Sequence, residues 1–122
     1  LRKEYSKTPR YYFYDNGIRN CLISNFNSIN LRNDIGQLWE NYCVTERIKR
    51  NSYKNVYSNY FFWRTYDRQE IDLLEERDGK LYAFEFKWKQ HKKFPPVAFQ
   101  KTYPDSIFKT ITNENFKELI EN

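Results

Sequence analysis

Residues 70–88 hold the strongest constraint in this chain. Glu-Ile-Asp (70–72) and Glu-Phe-Lys (85–87) stand on either side of the tetrapeptide Arg-Asp-Gly-Lys (77–80), between two strand-like segments. Asp78-Gly79 is a strong hairpin signal, because a two-residue primed turn needs positive φ at both central positions. If the turn closes on Arg77 and Lys80, pairing outward sets Asp72 opposite Glu85 and Glu70 opposite Lys87. All four side chains then share one face, since side chains alternate with period two. The other face would carry Ile71, Leu73, Tyr82, Phe84, Phe86 and Trp88, enough apolar surface to be buried. An odd number of loop residues would move Glu85 off the acidic face.

Two carboxylates directly across an antiparallel pair repel each other unless a cation or proton lies between them. A divalent metal is the economical explanation. The structural alternative for each residue is plain: Asp72 as a strand-end residue in a turn or ion pair, and Lys87 as a partner of Glu70 or Glu85 worth a fraction of a kcal/mol, on the order of 0.2–1.

The 122 residues fit one domain with a single core. The chain is polar and 30% charged, yet 20% of its residues are aromatic. The core must therefore be built from Phe, Tyr and Trp more than from Leu and Val, and disorder is not expected. No apolar run approaches membrane-spanning length and no secretory pattern is present. Cys21 and Cys43 are isolated, with one histidine, His91, for company. Neither a zinc site nor a disulfide framework is indicated, and a cytoplasmic setting is the default.

Net charge is +5, compatible with a polyanionic partner but common elsewhere. Lys87, Lys89, Lys92 and Lys93 follow the acidic pair, and Arg47, Lys49, Arg50 and Lys54 close the longest expected helix. Both clusters suit a phosphate backbone. A solvated face with cations at a helix C-terminus explains them equally well.

The expected elements run in a compact order. A short aromatic strand at Tyr11 to Tyr14 precedes a helix capped by Asp15 and running to about Phe26. A long helix follows from Asp34 to about Arg50, with Ile35, Leu38, Trp39 and Tyr42 on one stripe and Gly36, Glu40, Cys43, Val44, Arg47 and Ile48 around a second face. Strands at about Tyr57 to Tyr66, Gln69 to Glu76 and Lys80 to Trp88 form a meander. Pro95-Pro96 breaks the chain before a helical piece from Val97 to Tyr103, then a strand from Ser106 to Ile111 and a terminal helix from Asn113 to Glu121, capped near Thr112. Trp63 and Arg64 suit packing and a buried ion pair. Tyr60, Phe61, Phe62 and Tyr66 read as core, with base stacking as the rival use.

A helix, three strands, a helix and a strand, with a Glu on the helix, an Asp on the second strand and Glu-x-Lys on the third, resemble the restriction-endonuclease-like, PD-(D/E)xK superfamily. The fold class this resemblance implies is α/β, of the α+β kind, with an αβββαβ core and a mixed sheet flanked by helices. More narrowly, the blocks Tyr-Phe-Tyr-Asp-Asn-Gly-Ile-Arg-Asn (12–20), Gly-Gln-Leu-Trp-Glu-Asn-Tyr-Cys-Val-Thr-Glu (36–46), Phe-Trp-Arg (62–64), Glu-Ile-Asp (70–72) and Phe-Glu-Phe-Lys (84–87) resemble the C-terminal domain of unknown function of prokaryotic AAA-type ATPases.

The resemblance implies that an ATPase domain precedes this one in the same polypeptide. Residues 1–122 then form a single nuclease-like domain at the C-terminal end of a longer protein, with residues 1–10 as a connection. No Gly-x-x-x-x-Gly-Lys-Ser/Thr sequence is present, so ATP would belong to that other domain. By resemblance, Asp72 and Glu85 are metal-binding acids, helped by the Phe86 backbone carbonyl, and Glu40 is the helix acid. Glu46, which lies along the Trp39 stripe, remains its rival. Lys87 would orient or deprotonate the attacking water, or stabilise phosphate charge. Gln100 and Tyr103 are similar to a Gln and Tyr of related nucleases, at a spacing of three rather than four. The implied cofactor is Mg²⁺ or Mn²⁺ and the implied partner is DNA, approached by Lys89, Lys92, Lys93 and Arg47. An oligomer through the longer protein and an absence of membrane contact complete the expectation. The competing readings are a catalytically silent DNA-binding module and a protein-interaction domain coupling the ATPase to a partner.

Overall fold

The protein is described by a computed structural model covering residues 34–89 and 94–121. The expected Tyr11 to Tyr14 strand, the helix after Asp15, and Cys21, His91, Lys92 and Lys93 lie outside the described residues. Within them, helix α1 spans Ile35–Tyr53, strands β1, β2 and β3 span Asn59–Arg64, Glu70–Arg77 and Lys80–Phe86, helix α2 spans Val97–Thr102, strand β4 spans Ile107–Ile111, and a single turn of helix α3 spans Lys117–Ile120. The sheet order is β1-β2-β3-β4. The first three strands are an antiparallel meander, and β4 lies parallel to β3, a pairing that requires the crossover supplied by α2. The class is therefore α+β, with a four-stranded mixed sheet.

The hairpin follows its turn chemistry. Asp78 and Gly79 have φ of 53° and 74°, as a primed two-residue turn demands, and Arg77 pairs with Lys80. The register then runs through Glu76↔Leu81, Glu75↔Tyr82, Leu74↔Ala83 and Leu73↔Phe84.

Helix α1 covers one face of the sheet. Trp39, Cys43 and Val44 pack with Leu73, Phe84, Phe86, Ile111 and Leu119, and the Trp39 indole donates to the Ile111 carbonyl at 3.3 Å. On the other face Phe99 of α2 meets Trp63 edge-on at 5.4 Å and joins Ile71, Leu74 and Ala83. Burying a large apolar side chain of this kind contributes about 1.5–3 kcal/mol.

Ile71 departs from expectation here. Between the pairs Phe61↔Leu74 and Trp63↔Ile71 the register shifts, so that Phe62 of β1 faces both Asp72 and Leu73 of β2. Such a bulge adds one residue to a strand and breaks its alternation. Ile71 consequently joins the Trp63 cluster and not the face of Leu73, Phe84 and Phe86.

Two further expectations are corrected. Tyr42, placed on the inward stripe of α1, is 40% exposed, while Arg47 is buried; the buried side of α1 takes Leu38 and Trp39 from one expected stripe and Cys43, Val44 and Arg47 from the other. Arg64 makes an exposed pair with Glu70 at 3.9 Å, not a buried one, although its neighbour Trp63 is fully buried.

Candidate functional site

The expected acids meet where the β2–β3 ladder stops. The last backbone pair is Leu73↔Phe84, and the same register carried one step further sets Asp72 opposite Glu85. There the side chains take over from the main chain. The Phe86 N–H donates to Asp72 Oδ2 at 2.9 Å, and the Asp72 N–H donates to Glu85 Oε1 at 3.2 Å. Each carboxylate thus satisfies a backbone donor that the ladder would otherwise have bonded, which matters because Glu85 is only 2% exposed. The bulge at Asp72 and Leu73 gives the local reason, since bulges bend a strand and re-aim the side chains at that point.

Glu40 reaches the neighbourhood from α1. It lies three residues before Cys43, on the same side of the helix. Burial pushes the Cys43 thiol far above its ordinary range, and the carboxylates of Asp72, Glu40 and Glu46 raise it further, in that order. Strand acid and helix acids therefore lie within electrostatic reach of one thiol. Glu46 also pairs with Lys49 at 3.1 Å on the helix surface. Among the described residues, no three imidazole, thiol or carboxylate groups gather closely enough to hold a metal ion, so Asp72 and Glu85 form a pair without a third acid at the same point.

Lys87 follows directly. Its N–H donates to the Ile111 carbonyl at 2.9 Å, extending the β3–β4 pairing by one residue, and its side chain is exposed, as is that of Lys89. Gln100 is exposed on α2, and Tyr103 packs at the edge of the Trp63 cluster.

Arg47 must be withdrawn from the nucleic-acid surface. Its Nε and Nη2 donate to Glu75 Oε2 and Oε1 at 2.7 and 3.1 Å, its Nη1 donates to the Leu119 carbonyl at 2.6 Å, and its guanidinium lies 5.1 Å from the centre of the Phe84 ring. At 2% exposure it cannot track a phosphate backbone. One half of this pair, the acid, carried a signal in the sequence. Glu75 sits on the same side of β2 as Leu73, opposite Tyr82, and an acid on an apolar face calls for a buried cation.

The aromatic residues of 60–66 divide. Tyr60 and Phe61 pack at the margins of the two clusters, whereas Tyr66 stands fully exposed on the β1–β2 turn.

By fold, this is an α+β domain whose paired acids stand at the open end of a bulged hairpin. By sequence profile, the chain belongs to the family described as Domain of unknown function (DUF4143), which matches residues 35–105, from the start of α1 to just past α2. The match includes Glu40, Asp72, Glu85 and Lys87. No curated protein and no solved structure matches the chain. No helix among the described residues is long and apolar enough to cross a membrane.

Proposed function

We propose that this domain is a nuclease-like module that contacts nucleic acid, with a restriction-endonuclease-like PD-(D/E)xK core, carried behind the ATPase domain of a longer cytoplasmic AAA-type protein. The observation that supports it best is the meeting of Asp72 and Glu85 at the end of the β2–β3 ladder. Carboxylates facing each other across strands repel, and a site that gathers them is suited to a cation.

The donor set fits a hard ion. Two carboxylates and the Phe86 carbonyl are oxygen ligands, and Mg²⁺ takes one or two protein carboxylates while keeping waters and substrate phosphate. Asp72 and Glu85 would hold Mg²⁺ or Mn²⁺, which supplies Lewis-acid stabilisation and an activated water for phosphodiester hydrolysis. The chain's own groups set the frame. The Phe86 N–H fixes the Asp72 carboxylate. The bond from the Asp72 N–H to Glu85 holds the second carboxylate against the first. Lys87, one residue past Phe86 and exposed, would bring an ammonium to the phosphate or orient the attacking water, with Glu40 as the helix acid and Glu46 as its rival.

A catalytically silent binding or protein-interaction module is the second reading, favoured by the same bonds. Carboxylates that satisfy backbone donors already have a structural use. Incubation of plasmid and linear DNA in Mg²⁺ or Mn²⁺ separates the two. Cleavage by the wild type should fall on the order of 10²–10⁴-fold in Lys87→Ala, and to background in Asp72→Ala. Equal rates for wild type and both variants would leave the silent reading standing.

A further inference from the structure

The β1–β2 turn displays an aromatic ring that the fold does not use. Tyr66 is completely exposed, yet the turn bearing it is tightly bonded. The Thr65 N–H donates to the Gln69 carbonyl at 3.0 Å, the Arg68 N–H to the Thr65 carbonyl at 3.1 Å, and the Gln69 N–H to Thr65 Oγ1 at 3.1 Å. Asp67 accepts from the Thr65 hydroxyl and from Gln69 Nε2. An ordered turn that projects a large ring into solvent is preorganised for a contact, because ordering the turn would cost nothing on binding.

The surroundings specify that contact. The turn lies at the end of the sheet where β1 leaves at Arg64, β2 begins at Glu70 and β3 ends at Phe86. Arg64, Arg68, Lys87 and Lys89 are all exposed there. A second exposed ring, Phe94, stands at 73% exposure on the approach to α2, whose Phe99 meets Trp63 beside Arg64. The opposing charges are Asp67, held within its turn, Glu70, paired with Arg64, and the Asp72 and Glu85 carboxylates, which accept from backbone N–H groups at the end of the ladder. Exposed rings interleaved with cations match a strand of unpaired nucleotides, whose bases stack on the rings while the phosphates meet the basic side chains. A duplex keeps its bases within its own stack and offers them to no such platform.

We infer that the Asp72 end of the sheet binds single-stranded nucleic acid, with Tyr66 as a base-stacking platform and Phe94 as a second. This rests on the proposed contact with nucleic acid and adds the substrate class. The test is fluorescence anisotropy of the full chain, in chelator so that nothing is cut, with labelled dT20, rU20 and a blunt duplex of equal length at several salt concentrations. At least one single strand should bind more tightly than the duplex, about tenfold or more. Tyr66→Ala should weaken that strand by roughly 5- to 100-fold, from the loss of one stacked base, and leave duplex binding unchanged. Phe94→Ala should weaken it within the same range, and Tyr66→Phe, which keeps the ring, should bind within about twofold of wild type. The dT20 and rU20 arms identify the sugar. Tighter duplex binding, or a Tyr66→Ala variant that holds single strands as well as wild type, overturns the inference and leaves the nuclease-like reading intact. Absence of binding to all three probes overturns both. Tyr66 touches no core cluster, so loss of fold does not confuse the result, and circular dichroism checks this directly.

Discussion

The two ends of the β2–β3 hairpin treat buried acid in opposite ways. Near the turn, Glu75 is fully buried and answered by a bidentate guanidinium from Arg47, with Arg77 Nε 3.7 Å away. At the open end, Glu85 is almost as buried; it accepts from the Asp72 backbone N–H, and the Asp72 carboxylate is its neighbour. The first arrangement joins three elements, since Arg47 also donates to the carbonyl of Leu119 in α3. The second ends a ladder and gathers negative charge at the sheet's rim. The lesson is that burial of an acid does not by itself mark a site. The difference shown is that one end joins an acid to a guanidinium, whereas the other brings two carboxylates to the same place.

If the Glu75 end is structural, removing its cation should produce the largest stability loss in the domain. Arg47→Ala leaves a buried carboxylate beside Arg77 alone, and breaking such a pair costs about 3–5 kcal/mol. Urea denaturation followed by circular dichroism measures it. A double change of Arg47→Met and Glu75→Leu should recover most of the loss, because a well-packed apolar pair often replaces a buried ion pair at no cost. A loss under about 1 kcal/mol for Arg47→Ala would erase the contrast between the two ends.

The hairpin was legible in the sequence because Asp78-Gly79 admits few alternatives, and its register set Asp72 against Glu85 before any coordinates. The helix α2 and the strand after it were legible from Pro95-Pro96 and the apolar residues that follow. Ile71 was not, because a bulge is a one-residue insertion in a pairing partner, and nothing in β2 alone announces that Phe62 will face two residues. Arg47 was not, because an acid on β2 calls for a cation without naming it, and α1 buries parts of both its expected faces. Tyr66 was counted with the strand, yet β1 ends at Arg64 and the ring lies two residues outside it. The last helix was expected from 113 to 121 and reduces to the turn Lys117–Ile120, because Thr112 and Asn115 first hold 112–116 in a bonded turn.

At the open end the expected stability effect is smaller and the expected functional effect larger. Asp72→Ala removes a charged acceptor from the Phe86 N–H, a bond worth about 1.5–3 kcal/mol. Asp72→Asn keeps an acceptor and should lose less, while still losing metal-dependent cleavage. Paired chemical denaturation and nuclease assays on the two variants therefore separate the carboxylate's structural bond from its charge. Wild-type cleavage by the Asn variant would assign Asp72 to structure alone.

Gly79 gives a calibrated control at the turn end. A Cβ there would meet nothing within 4 Å, yet φ is +74°, so Gly79→Ala tests backbone strain without packing. The expected cost is about 1 kcal/mol, read from the denaturation midpoint, with no change in nucleic-acid affinity. A change in affinity would mean that the two ends are mechanically coupled.

The smallest effect belongs to Asp67, in the turn at the open end. The Thr65 hydroxyl holds its carboxyl below the ordinary carboxylate range, against an opposing desolvation and with Gln69 and the Asp67 backbone assisting. A depressed value in the folded state means that the group favours the fold above its unfolded titration point, and that this contribution disappears as pH falls through the folded one. Asp67 is fully exposed, so global stability should hardly register the change. The turn itself should. In a carbon-detected NMR titration the Asp67 carboxyl should show a midpoint below that of a free aspartate, and Thr65→Val should return it toward the ordinary value. The amides of 65–69 should shift with the same midpoint, because those bonds are what keep Tyr66 in its projecting position. A normal midpoint in the wild type would mean that the turn is not held by Asp67, and the ordered platform at this end would lose its main support.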